Sequence, residues 1–397
     1  MNQYKKIKLK PKKESSLKRF HPWVFSGAIA SLPENIEEGD VVEVYANDNT
    51  FLGVGHYQIG SIAVRILSFE ERAVDNSFYE ERLQDAYQMR DALGLVRADN
   101  STYRLVHGEG DMLAGLIIDI YGALAIVQAH SIGMHMSRDL IATALKAVLG
   151  ESLQHIYYKS ESTLPFKAPI DPEDSFLLGG KSDLVKIALE NNLKFEIDWE
   201  KGQKTGFFID QRENRTLLED YSKNRSVLNM FCYTGAFSVY AMRGGAKEVV
   251  GVDSSAKAVM IANENVKLNF GDDERYSSSS DDAFKFLKEM PSGAYDLIVL
   301  DPPAFAKHRG AVRNALQGYK KLNLAAFEKV AKGGIVFTFS CSQVITREQF
   351  RLAVFSAAAI SGRRVKILHQ LSQPADHPVN IYHPEGEYLK GLVLHVS

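Results

Sequence analysis

Only two cysteines, Cys232 and Cys341, occur in the 397 residues of this chain. That scarcity excludes a disulfide framework, fits a reducing cytosol, and leaves too few thiolates for a cysteine-based zinc site. No histidine pair falls at ligand spacing either, so no metal is expected. No apolar run reaches the roughly 18 residues a membrane helix needs, so no membrane contact is expected. Met1-Asn2-Gln3-Tyr4-Lys5-Lys6 has no apolar stretch behind it, which argues against a signal peptide. The dinucleotide pattern G-x-G-x-x-G is also missing, which weighs against a nicotinamide cofactor. With 45% hydrophobic and 24% charged residues, the chain reads as a cytoplasmic globular protein of two or three domains.

The net charge of −2 conceals an asymmetry. Residues 1–19 carry Lys5, Lys6, Lys8, Lys10, Lys12, Lys13, Lys18 and Arg19 against Glu14 alone. A basic end on a near-neutral chain points to a polyanionic partner. A solvated tail is the other reading of the same charges.

Three segments follow. Residues 1–71 hold short β-rich runs (41–45, 51–57, 62–67) broken by Asn47-Asp48-Asn49 and Gly60-Ser61, the pattern of a small β barrel. Residues 72–190 mix helical spacing over 78–95 and 137–149 with strands at 103–106, 116–120 and 123–128, an α+β unit that displays no chemistry. Residues 191–397 alternate near-continuous apolar strands with helices, which predicts an α/β domain with a parallel, doubly wound sheet. The helix over 347–360 carries a capping-box signature, Thr346 with Gln349. Such sheets bind ligands at the carboxyl ends of their strands.

The candidate residues stand at those ends. After the first strand comes Phe231-Cys232-Tyr233-Thr234-Gly235, where the glycine lets a ligand pass close to a helix N-terminus. Gly251-Val252-Asp253-Ser254 ends the second strand with a carboxylate suited to ribose hydroxyls. Asp282 follows a weak third strand; it can meet an adenine amino group or simply cap a helix. In this order the three features fit an adenosine cofactor without a phosphate tail, S-adenosylmethionine best of all. Asp301-Pro302-Pro303-Ala304-Phe305 then ends the fourth strand in a rigid loop, offering a carboxylate, a carbonyl and an aromatic ring to a flat substrate. Cys341, between Ser340 and Ser342 at the next strand end, is either a nucleophile or a small hydrophobe. Cys232 reads as a packing residue. Upstream, Gly202 to Arg212, with Phe207, Asp210 and Arg212, suits a ligand cover better than a core strand. His377 and His383, in a Pro-rich loop, stay unassigned.

These motifs resemble the 23S ribosomal RNA 5-methylcytosine methyltransferases, which join an N-terminal PUA domain, a central α+β domain and a Rossmann-like methyltransferase domain. The markers run from Phe20-His21-Pro22-Trp23-Val24-Phe25 through 206–212, 231–235, 301–305 and 340–342 to Asp376-His377-Pro378 and 384–391. The resemblance implies S-adenosylmethionine as cofactor, large-subunit ribosomal RNA as partner, and Cys341 with Asp301 as the catalytic pair. It also implies cofactor contacts from Phe207, Asp210, Arg212, Phe231, Tyr233, Thr234, Gly235, Asp253, Ser254, Asp282, Asp301 and Pro302. RNA contacts would come from Lys10, Lys12, Lys18, Arg19, Trp23, Phe305 and Lys307, and a homodimer is compatible with this organisation. Related cytosine methyltransferases often place a second cysteine in the Asp-Pro-Pro loop; this chain has none, leaving Cys341 as sole nucleophile. Two rivals remain: an exocyclic-amine methyltransferase using the Asp-Pro-Pro loop without a thiol, and a non-catalytic ribosome-assembly protein.

Overall fold

The computed structural model describes residues 4–165, 173–182 and 186–397. The chain divides into two compact units. The first comprises Met1–Asn191, Ile197–Ile209 and Ala375–Gly386; the second comprises Asn192–Glu196, Asp210–Pro374 and Glu387–Ser397.

The first unit begins with six strands: β1 (Lys5–Leu9), β2 (Trp23–Phe25), β3 (Ile29–Ser31), β4 (Val41–Tyr45), β5 (Phe51–Tyr57) and β6 (Ile62–Ser68). They pair in the order β2-β6-β5-β4-β1-β3. The basic N-terminal segment is therefore no solvated tail. In β1, Ile7 and Leu9 point into the core with Val42, Val44 and Ile66, while the intervening lysines face outward with the period of two that a strand imposes. Lys5 pairs with Asp40 at 2.7 Å.

Next come α1 (Asn76–Ala92), β7 (Thr102–His107), β8 (Leu116–Tyr121), β9 (Leu124–Ala129), α2 (Ile132–Met136), α3 (Arg138–Leu149), β10 (His155–Tyr158), β11 (Ser175–Leu178) and β12 (Ile187–Glu190). Asp75 caps α1 by accepting from the Phe78 amide. Strands β7 to β11 form one sheet, and α1 and α3 bury Phe78, Leu83, Ile141 and Leu145 in the core it shares. The stretch 375–386 is tied here by buried polar contacts. Arg90 is paired with Asp111 and also donates to the Asp376 carbonyl at 2.9 Å. The Asp376 carboxylate accepts from the Arg104 amide at 3.0 Å. Gly110 permits the approach, since a Cβ there would lie 2.1 Å from the Pro378 carbonyl oxygen.

The second unit contains β13 (Leu193–Glu196), α4 (Arg212–Ser222), β14 (Ser226–Met230), α5 (Ala236–Arg243), β15 (Glu248–Asp253), α6 (Ala256–Phe270), β16 (Tyr276–Ser280), α7 (Ala283–Glu289), β17 (Leu297–Leu300), α8 (Val312–Lys329), β18 (Gly334–Ser340), α9 (Arg347–Ser361), β19 (Val365–Ser372) and β20 (Lys390–Val396). Seven of these strands form a sheet in the order β16-β15-β14-β17-β18-β20-β19. The first five are parallel, as the alternating pattern predicts. The last two depart from it: β20 runs antiparallel to both neighbours. Burial decides their positions. Leu392, Val393, Leu394 and Val396 are buried, so β20 occupies an interior slot, whereas the mostly exposed β19 takes the edge.

Alternate strand residues face opposite helical layers, which is why these strands read as continuous apolar runs. Leu228, Ile298 and Val336 share a core with Leu287, Tyr319 and Phe350 of α7, α8 and α9. On the other side Phe337 and Phe339 meet Tyr221 of α4 and Phe237 of α5. Strand order reverses between β14 and β17, which opens a crevice at their carboxyl ends.

Candidate active site

The loop leaving β14 is conformationally unusual. Phe231, Tyr233 and Gly235 have φ of 58°, 48° and 77°, two of them non-glycine residues in the left-handed region. Such strain persists only where surroundings enforce it, and it clusters at ligand sites. Here the Cys232 amide donates to the Val252 carbonyl (3.0 Å), the Gly235 amide to the Cys232 carbonyl (2.8 Å), and buried Asn265 to the Thr234 carbonyl (2.8 Å). Gly235 begins α5, and a Cβ on it would lie 2.8 Å from the Ala262 Cβ.

Asp253 joins this loop to the end of β15. One carboxylate oxygen accepts from the Tyr233 amide at 3.0 Å and the other from the Ser255 amide at 2.9 Å. Each keeps further lone-pair capacity for a hydroxyl donor. Asp282 shows its structural role plainly: its Oδ1 caps α7 by accepting from the Lys285 amide at 2.9 Å. Asp210 accepts from the Tyr388 hydroxyl at 2.7 Å, and Arg212 is buried as the first residue of α4. Phe207 instead lies in the first unit, 3% exposed, close behind fully buried Thr205. Thr205 donates to Asp119 at 2.6 Å. Within this half of the segment Gln203 and Lys204 are exposed, while Thr205, Gly206 and Phe207 are buried.

Asp301 and Cys341 end adjacent parallel strands, β17 and β18. The half-buried Cys341 thiol lies 3.9 Å from the Pro302 carbonyl oxygen. Cys232 differs: it is 6% exposed, and burial, reinforced by the nearby Asp253 charge, pushes its thiol far up. Of the two thiols, only that of Cys341 is partly exposed. Ser342 accepts from the Ala306 amide at 3.2 Å and lies 3.3 Å from the Tyr319 hydroxyl, which in turn accepts from Ser340 at 3.0 Å. Phe305 is held by α8, its ring 4.7 Å from that of Tyr319 and against Gly318. Its partly buried ring buttresses the loop.

Comparison with known proteins bears on this geometry. Residues 7–69 match the PUA-like domain model, and residues 169–380 match the S-adenosylmethionine-dependent methyltransferase model. An Aeromonas hydrophila protein named ribosomal RNA large subunit methyltransferase I is 40% identical over 96% of this chain and 97% of its own. An Alteromonas mediterranea protein of the same name is 38% identical over 98% of each chain. This chain belongs to the ribosomal RNA large subunit methyltransferase I family.

As a member of that family it is an S-adenosylmethionine-dependent methyltransferase. A Streptococcus mutans structure described as a SAM-dependent methyltransferase shares the fold at a TM-score of 0.83. It is 24% identical and covers 98% of this chain and 100% of its own. The residues present fit the cofactor: the strained 231–235 loop leads into α5, and the anchored Asp253 carboxylate has acceptor capacity that would suit ribose hydroxyls.

Among the residues expected to meet RNA, Lys10, Lys12, Lys18 and Arg19 are exposed on the first unit and Lys307 on the second. Lys18 is within 3.6 Å of Glu14. Trp23 is half-buried, its indole N–H donating to Glu109 at 2.8 Å and its ring 4.3 Å from His383. His21, His383 and Glu385 bring two imidazoles and a carboxylate together. The Trp23 amide donates to His21 Nδ1 at 3.2 Å, which leaves the proton of a neutral ring on the Nε2 that faces Glu385. That tautomer suits a contact to the carboxylate rather than to a cation. His377 bonds Asp376 at 3.0 Å and packs on His107, so it serves the docking of 375–386.

Lys390 stands out in the sequence only as a member of the marker 384–391. Its side chain is buried and donates to the carbonyls of Ser342 and Ile345, both at 2.6 Å. The available signal was a lone charge inside the apolar run 389–396. Tyr319 had no comparable signal, because its place beneath the two serines depends on how α8 packs.

Proposed function

We propose that this enzyme methylates C5 of a cytosine in large-subunit ribosomal RNA through a transient bond between Cys341 and C6. The observation that carries this reading is the accessible Cys341 thiol at the end of β18, 3.9 Å from the carbonyl of the residue after Asp301. The names of the relatives supply the RNA class. The exposed Lys10, Lys12, Lys18 and Arg19 supply cations for phosphate contacts.

C5 of cytosine is too electron-poor to attack a methyl sulfonium unaided. The Cys341 thiol loses its proton, and the thiolate forms a C–S bond at C6, pushing the C5=C6 electron pair toward N3 and making C5 a nucleophile. N3 takes up a proton from solvent as charge develops there, and Asp301, beside the ring, accepts from the N4 amine and from N3–H; the N3 proton is released again when the ring reforms. Bound S-adenosylmethionine supplies an electrophilic methyl group. The C5 proton is then lost to a base, the C5=C6 bond reforms, and the Cys341 thiolate is expelled. A cytosine within a helix has to leave its stack first.

The test uses a ribosomal RNA fragment carrying 5-fluorocytosine, whose fluorine cannot leave as a proton. The wild-type protein is expected to give a denaturation-resistant RNA adduct, mapped to Cys341. Full turnover by Cys341→Ala, without adduct, would transfer the reading to amine methylation. Absence of both turnover and S-adenosylmethionine binding in the wild type would leave only an assembly role. Sites are mapped by comparing cytosine methylation in ribosomal RNA with and without the gene.

A further inference from the structure

Lys390 is 4% exposed on an interior strand of the seven-stranded sheet. A buried ammonium normally sits beside a carboxylate. This one does not: its cross-strand neighbours are Ser340 on β18 and Ser372 on β19. Among the described residues its only hydrogen-bond acceptors are the Ser342 and Ile345 carbonyls, which accept two of its three N–H bonds. Those carbonyls bracket the turn that follows Cys341, itself closed by the Ile345 amide donating to the Ser342 carbonyl at 3.2 Å.

The charges that reach Lys390 narrow its role. Burial pulls its ammonium down to about 8, with Cys341 and then Glu387 acting in the opposite direction and Arg347 alongside burial. Glu387 and Arg347 form an ion pair with each other, so their fields largely cancel at Lys390. Tyr319, packed under the same turn, is held protonated by burial. Asp301, on the adjoining strand end, is an acid that opposes a second negative charge nearby. The group left to match the buried cation is the Cys341 sulfur.

We propose that Lys390 is a positioning residue for Cys341, fixing the turn after it through two carbonyls and providing the positive charge that keeps its sulfur ionised for attack. This rests on the nucleophilic reading of Cys341. It adds a division of labour: one strand end carries the nucleophile and the neighbouring antiparallel strand carries its counter-charge. The thiol proton leaves to solvent, and the thiolate and ammonium form a neutral pair until sulfur bonds to carbon.

The test measures the pH dependence of Cys341 alkylation by iodoacetamide in the full-length protein, read peptide by peptide so that Cys232 is separate. The wild-type midpoint is expected below the ordinary thiol value of about 8.5. Lys390→Met and Lys390→Gln are each expected to raise it by about one unit, roughly a tenfold loss of thiolate at neutral pH, and Lys390→Arg to restore most of it. A wild-type midpoint at or above the ordinary value overturns the proposal without any variant. So does an unchanged midpoint in whichever neutral variant stays folded. Alkylation needs neither RNA nor cofactor. A failed fluorocytosine adduct with a depressed midpoint would therefore refute the reaction and spare the pairing.

Discussion

The Cys341 sulfur stands 3.9 Å from the carbonyl oxygen of Pro302, so the thiol and the Asp-Pro-Pro loop share one corner of the sheet. Parallel pairing of β17 and β18 in register, Leu300 opposite Thr338, brings them there. If Cys341 is the only nucleophile, Cys341→Ala lowers turnover by about 10⁴-fold or more, while S-adenosylmethionine binding stays within a few-fold. Cys232→Ala should still form the fluorocytosine adduct. Single-turnover kinetics beside calorimetric titration of the cofactor check both.

Gly235→Ala tests the cofactor loop. A side chain at φ 77° is strained and its Cβ meets Ala262 at 2.8 Å. The expected cost is about 1–3 kcal/mol of stability and about tenfold in cofactor affinity. Urea unfolding and cofactor titration report the two separately.

Arg90→Met tests how the segment 375–386 is held in the first unit. The change strands the buried Asp111 carboxylate and removes the donor to the Asp376 carbonyl. Breaking a buried ion pair from one side costs about 3–5 kcal/mol. A loss below about 1 kcal/mol in urea unfolding would show that the pair contributes little to this unit.

Acid sensitivity has an identifiable contributor in His56, which is 2% exposed and packed against Gly133. Burial, with Arg65 nearby, pulls its imidazole from 6.5 to about 4. Above pH 6.5 the ring is neutral in folded and unfolded chains alike, and it adds no pH dependence. Between pH 6.5 and 4 the unfolded chain binds a proton that the folded chain refuses, so stability falls as pH drops, by up to about 3 kcal/mol at pH 4. His56→Phe should flatten the fall in urea midpoint between pH 7 and pH 5.

Much of this was legible along the chain because its signals are local. Short β-rich runs marked β4, β5 and β6, continuous apolar runs marked β14, β15, β17 and β18, and Thr346 with Gln349 marked the start of α9, where both halves of the capping box form. The ends of those runs led directly to Gly235, Asp253, Asp301 and Cys341. Other features are not legible locally because they are relational. Nothing around Phe305 in the sequence shows that its ring lies beside Tyr319 of α8. The mixed composition of 202–212 conceals that Thr205 is anchored to Asp119.

By itself the sequence determined which residues end the strands of a doubly wound sheet, and with them the identity of the candidate nucleophile, acid and cofactor loop. Only the tertiary structure decided that β20 inserts antiparallel beside β18, and that insertion brings the buried Lys390 ammonium to the turn after Cys341. Only it separates the two cysteines, one half-open and one buried, and assigns 375–386 to the first unit. The physical reason is range. Strand period and helix caps are written within a few residues, whereas a counter-charge or a buried ring depends on partners tens or hundreds of positions away.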